Sequence, residues 1–302
     1  MPSLFGVNLV LPSHPFLPMR VRTLIVGFLG IHLLATLLAQ LGATGLGIPP
    51  QDPLLVHVAY CLTFGGVSGW LLLKGQQMGI STAAIWGGWP RHYAWLPLFG
   101  LLVAQLLFSA GSTLLWFYGL FHLAPDYLTD LLESPAFVEP PASQMPVLFL
   151  AFQMVAIVIV APIAEEFVFR GWIFQRWADQ AGIPVGLLGS SVLFGLLHLN
   201  PIGLTVFGLI MTLLYLQTRS LIVPIVAHMF NNALAWTLQH LSSLSPAGSA
   251  QSPLTMSAVD WQVGLAYLAL ATPILVFFMV KQWPSGSSRL PYLQNLDPTL
   301  KQ

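Results

Sequence analysis

Three groups of polar side chains stand inside apolar stretches of this 302-residue chain, and their spacing sets them up for chemistry. Ala164-Glu165-Glu166-Phe167-Val168-Phe169-Arg170 carries two adjacent carboxylates and an arginine; Phe194 and His198 sit four residues apart, as do His228 and Asn232. A spacing of four puts each pair on one face of a helix. Adjacent Glu165 and Glu166 are separated by about 100° around a helix, so they must do different work. Glu166 and Arg170, four apart, can form a charge pair that holds both charges in a low dielectric. Glu165 then points elsewhere, towards Phe169 and His198. A carboxylate stripped of water there holds a proton more readily, which suits a general base near neutral pH, with water as the proton source.

Each group also has a plainer reading. A buried Glu–Arg pair can simply hold helices together, and one membrane histidine is more often a helix-to-helix hydrogen bonder than a catalyst. An ionisable residue in a membrane helix costs at least about 2.5 kcal/mol unless paired or hydrated, however, and three such groups in one chain favour a site. His32, His57, His92, His122 and His240 have no comparable neighbours, and His14 lies in the N-terminal tail.

The elements that must position these residues follow from composition. The chain is 56% hydrophobic and 7% charged, against about 25% charged for an ordinary soluble protein. That excludes the soluble globular class. Ten Lys plus Arg balance ten Asp plus Glu, so there is no basic excess for a nucleic acid. The single cysteine, Cys61, rules out an intrachain disulfide and a four-cysteine zinc module. The remaining class is an all-α, polytopic membrane helical bundle with about eight transmembrane helices. The candidate spans are 23–41, 54–73, 95–123, 147–177, 184–199, 202–217, 221–241 and 261–280, with Asn200-Pro201 marking a turn or break.

Placing Lys and Arg on the cytoplasmic side orients the bundle. With eight crossings and the N-terminus inside, Arg20, Arg22, Lys74, Arg91, Arg176, Arg219, Lys281, Arg289 and Lys301 all fall inside. Both termini are expected to be cytoplasmic. The stretch after Arg22 reads as a retained first helix, because a long polytopic pattern follows it. The segment 124–144 carries Asp126, Asp130, Glu133 and Glu139 with no base and reads as an external loop. Trp86, Trp89, Tyr93 and Trp95 read as an interfacial aromatic belt, and the polar tail from Pro284 as loosely ordered. The chain divides into three N-terminal helices with the acidic loop (1–145), a helical core that holds the three polar groups (146–241), and a last helix with a polar tail (242–302), all in one integral domain.

Depth adds a further expectation. In an antiparallel hairpin turning near 180–183, Glu165 and His198 each lie about 15 to 17 residues, or roughly 25 Å, from the turn, so they can meet inside the membrane. His228, counted from Arg219, comes out shallower.

The series Glu165-Glu166-x-x-x-Arg170, Phe194-x-x-x-His198 and His228-x-x-x-Asn232 resembles the three motifs of the CPBP intramembrane proteases. That group includes the type II CAAX prenyl endopeptidases and bacterial relatives of the bacteriocin-processing and self-immunity type. The resemblance covers about 146–241. It implies a helical membrane endopeptidase in which Glu165, helped by His198, activates water. His228 and Asn232 would stabilise the oxyanion, with Glu166, Arg170 and Phe194 in support. It also allows a zinc ion on Glu165, His198 and His228, with an open position for water. The implied partners are membrane lipid and a peptide or protein substrate, prenylated or not. His-Glu-x-x-His, Gly-x-Ser-x-Gly and Gly-x-Gly-Asp are absent, which removes three other intramembrane protease classes. The alternative from the residues alone is a non-catalytic scaffold or a small ion- or proton-coupled transporter.

Overall fold

A computed structural model describes residues 15–133, 143–243 and 258–297, and these are helical with no strand. Hydrophobic runs with no water to satisfy the backbone have one economical solution, the α-helix. They form α1 (Val21–Leu46), α2 (Leu54–Gln77), α3 (Thr82–Trp86), α4 (Trp95–Leu123) and α5 (Pro125–Glu133). These are followed by α6 (Pro146–Ala181), α7 (Ile183–Leu196), α8 (Pro201–Thr218), α9 (Ile222–Ser243), α10 (Ala258–Gln282) and α11 (Pro291–Leu296). All eight expected spans are helical. Six helices, α1, α2, α4, α6, α8 and α10, are long and apolar enough to cross a membrane. The chain is therefore a polytopic helical membrane bundle.

Helix α7, with 14 residues, covers about 21 Å and stops short of a 30 Å hydrocarbon core. The break after it lies at membrane depth, so its polar groups need protein partners. Asn200 provides them: Oδ1 accepts from the N–H of Gly203 at 2.9 Å, capping α8, and Nδ2 donates to the carbonyl of Ser109 on α4 at 2.9 Å. Gln105 of α4 donates to the carbonyl of Gly203 at 3.0 Å. Helix α4 also packs closely on α10, because a Cβ added at Gly111 would lie 2.7 Å from the carbonyl oxygen of Gly264.

The main hydrophobic core among the described residues runs from Phe16 to Tyr292, with a small separate cluster of Ala43, Ile48 and Leu55. At the end of the bundle where α2, α6, α8 and α10 finish, the short α3 and α11 close it off. The Tyr292 hydroxyl accepts the N–H of Ser81 at 3.2 Å, and Asn295 donates to the carbonyls of Ala84 and Arg219 at 2.9 and 2.8 Å. The tail through Asp297 is thus docked, contrary to the expectation of loose order, because Leu290 and Tyr292 are apolar anchors buried against this end. Two other expectations change. Trp86 is half-buried and stacks on Phe167 of α6 with centroids 6.0 Å apart, while Trp89 is 62% exposed. The acidic loop begins as helix α5; Glu139, like His14 and Lys301, lies outside the described residues.

Candidate active site

Glu165 and Glu166 lie in the middle of α6, between two π-helical turns at Val155–Val160 and Phe169–Phe174. Such turns concentrate at functional sites. Pro162 explains the end of the first. The N–H of Ala161 bonds the carbonyl of Ala156, five residues back. The next carbonyl in that register, Ile157, faces a proline without N–H. Asn232 fills the gap: its Nδ2 donates to the Ile157 carbonyl at 2.9 Å and fastens α9 to α6.

Glu166 is fully buried and sits at the centre of a polar cluster. Its Oε1 accepts from Arg170 Nη1 at 2.9 Å and from His228 Nδ1 at 2.8 Å. Arg170 Nη2 donates to the carbonyl of Gly208 on α8 at 3.2 Å, and its guanidinium lies 4.8 Å from the centroid of the Phe194 ring. A Cβ at Gly208 would lie 3.0 Å from Ser191 Cα, so the bare glycine lets α7 and α8 pack this closely. The bond to Glu166 commits the Nδ1 proton of His228 and leaves Nε2 pointing at Glu165 Oε2, 3.8 Å away.

Glu165 is 8% exposed, and its Oε1 accepts from the Tyr60 hydroxyl of α2 at 3.2 Å. Two carboxylates face one guanidinium here. The guanidinium is bonded to Glu166, and the polar neighbours of Glu165 are Tyr60 and His228.

His198, half-buried at the end of α7, donates Nδ1 to the carbonyl of Phe194 at 2.6 Å. In the neutral ring this leaves the Nε2 lone pair available. Phe194, fully buried, separates the polar parts: its ring centroid lies 4.5 Å from His198, 6.0 Å from His228, 5.0 Å from Phe169 and 5.9 Å from Phe207.

The structure therefore brings Glu165, Glu166, Arg170, His228 and Phe194 together, with Asn232 one helical turn along α9. It corrects the depth argument. Among the described residues Glu165 pairs with Tyr60 and His228, while the hydrogen bond of His198 stays on its own helix. Two features defeat counting by 1.5 Å per residue. The second π turn holds more residues per turn between Glu165 and the end of α6. The start of α9 is also sunk into the bundle: Ser220 and Leu221 are buried, and the N–H of Leu221 donates to the carbonyl of Trp86 at 2.9 Å. Tyr60 was missed because it lies 105 residues before Glu165 in an unremarkable apolar run. The one available signal is a phenol away from the usual membrane edge.

Glu165, His198 and His228 are the set a zinc ion would need. Among the described residues, no group of three or more His, Cys, Asp and Glu side chains is arranged to hold a metal ion. The donors do not fit one as they stand, and no step below passes through a metal.

Residues 147–234 match the family described as type II CAAX prenyl endopeptidase Rce1-like. The putative membrane peptidase YdiL of Bacillus subtilis (strain 168) is 36% identical over 84 residues, which are 27% of this chain and 34% of that protein. The chain thus matches about a third of the length of this curated relative. No solved structure matches. All the motif residues fall within the matched segment, and Tyr60 falls outside it.

Proposed function

We propose that this chain, whose residues 147–234 belong to the Rce1-like type II CAAX prenyl endopeptidase family, is an intramembrane endopeptidase that uses Glu165 to activate water. The observation that carries this reading is the division of labour between the two carboxylate oxygens of Glu165. Tyr60 holds Oε1, and Oε2 faces His228 Nε2 across 3.8 Å. That gap is too long for a direct hydrogen bond, yet one water about 2.8 Å from each atom fits between them.

Glu165 takes a proton from this water as its oxygen attacks the scissile carbonyl. The tetrahedral intermediate carries its charge on the former carbonyl oxygen. The second N–H of Asn232 is a donor for that oxygen, and His228 Nε2 is another when the ring carries a proton on both nitrogens. Glu166 and Arg170 act through His228: the buried carboxylate holds Nδ1 and fixes the ring, and Arg170 holds the carboxylate. Glu165 then passes its proton to the leaving nitrogen, and His198, across the Phe194 ring with Nε2 available, would assist only through the bound substrate or a water. The C–N bond breaks as the nitrogen gains that proton, and the carbonyl re-forms. The substrate is a peptide or protein reached from within the membrane, with prenylated chains one class that would suit an apolar approach. The basic rim of Arg20, Lys74, Arg176, Arg219, Lys281 and Arg289 supports a cytoplasmic face at the end closed by α3 and α11.

The test compares protein termini in membranes of cells carrying the wild-type chain and Glu165→Gln at equal abundance. A set of termini that disappears with Glu165→Gln is expected. Identical termini under several growth conditions would refute a constitutive protease and favour a scaffold or transport role.

A further inference from the structure

Beyond the active site, two cavities meet where α10 leaves the membrane. The first, about 240 Å³, is lined by Lys281, Trp283, Ser285, Ser288 and Arg289 with Gln294 of α11. No carboxylate is among the described residues lining it, so two cations face the space without an acid. The turn Pro284-Ser-Gly-Ser-Ser-Arg289 adds hydroxyls: Ser285 Oγ lies 3.0 Å from Ser287 Oγ and 3.3 Å from Ser288 Oγ, and each can rotate to donate outward. The second cavity, about 450 Å³, runs back along α10 on Val276, Met279 and Val280 and shares Trp283 with the first.

A cationic, hydroxyl-lined cup opening into an apolar groove at the end of a membrane helix has the polarity of a phospholipid. We propose that this site binds an anionic phospholipid, with its phosphate on Lys281, Arg289 and the serine turn and one acyl chain along Val276, Met279 and Val280. Charge complementarity selects the headgroup, since a zwitterionic lipid brings its own cation into a pocket that already holds two. Trp283, 44% exposed, occupies the headgroup level between the two parts. The lipid has structural reach. Gln294 lines the cup, and the adjacent Asn295 holds the carbonyls of Ala84 and Arg219 at the turn that leads into α9. Occupancy therefore steadies α11 and the start of the helix that carries His228.

The test uses the purified full chain and is independent of proteolysis. Phosphatidylglycerol and phosphatidylcholine of identical chains, and glycerol phosphate alone, are titrated while bound lipid is counted by native mass spectrometry and thermal unfolding is followed. Phosphatidylglycerol should bind selectively and raise the unfolding temperature. Lys281→Gln/Arg289→Gln should weaken its binding about 30-fold, at about fivefold per cation lost from an anionic surface. Lys74→Gln/Arg91→Gln, which removes two cations elsewhere at the same end, should not. Both pairs are surface changes that the fold tolerates. Equal binding of the two lipids, equal loss with both double variants, or glycerol phosphate binding as tightly as the lipid would each overturn the proposal. The last would indicate a free-anion site.

Discussion

Arg170→Met tests whether the cluster around Glu166 is held by charge. Arg170 is 1% exposed and makes two bonds, to Glu166 Oε1 at 2.9 Å and to the Gly208 carbonyl at 3.2 Å. Methionine keeps most of the volume and removes both. What remains is a fully buried carboxylate whose Oε2 has no hydrogen-bond partner among the described residues and whose Oε1 keeps only the His228 bond. Removing one member of a buried pair typically costs about 3 to 5 kcal/mol, much more than the roughly 0.6 kcal/mol average of a membrane hydrogen bond. Most of the loss is therefore the stranded charge. Neutralising it should restore stability: Arg170→Met/Glu166→Gln should recover at least about 1 kcal/mol relative to Arg170→Met, since the glutamine oxygen can still accept from His228. The measurement is reversible unfolding in mixed detergent micelles for the wild type, both single variants and the double. A single-variant loss under about 1 kcal/mol, or losses that simply add, would refute the reasoning.

Tyr60→Phe deletes one hydroxyl and should lower kcat about tenfold with little change in KM, the scale of one hydrogen bond to a charged group; an unchanged kcat would remove Tyr60 from the site. Asn232→Leu strands the Ile157 carbonyl as well as removing a donor, so unfolding should become easier and activity should fall together; full stability would mean that another group fills the carbonyl. Because no three metal-binding side chains are gathered among the described residues, activity should survive a strong zinc chelator, and a loss reversed by zinc would place Glu165, His198 and His228 around a metal. Asp52, in the loop between α1 and α2, accepts the N–H groups of Leu54 at 2.9 Å and Gln144 at 3.0 Å, and these bonds hold its carboxyl below the ordinary range, the Leu54 bond most strongly. A lowered carboxyl stabilises the fold above its unfolded value near 3.9 and loses that support as pH falls through the folded value. Wild-type unfolding temperature should therefore drop below about pH 4 more steeply than that of Asp52→Asn; parallel curves would contradict this.

The architecture was readable because its causes are local. Runs of about 20 apolar residues need no partner to declare themselves, and all eight segments are helices. The Glu166–Arg170 pair was readable for the same reason, since spacing by four on one helix fixes its geometry. What spacing could not supply was distance between helices. The π turns change the rise along α6 without changing its hydrophobicity, so counting residues points Glu165 at His198 while the fold brings it to His228. The docked tail was hidden similarly: Leu290 and Tyr292 are only two apolar residues in a polar stretch, and their burial depends on a surface that α3 and the α8–α9 turn create.

The hydrogen bond from Tyr60 to Glu165 joins α2 to a segment that otherwise contains every motif residue. The proposed catalytic unit is then larger than the stretch that carries its signature. Excising residues 146–241, or grafting them onto the N-terminal helices of another protein, would transplant the proposed base without the hydroxyl that holds its Oε1. Such a chimaera should regain function only when the recipient helix offers a hydroxyl at the height of Tyr60, which makes that position a compatibility key between the two halves of the chain.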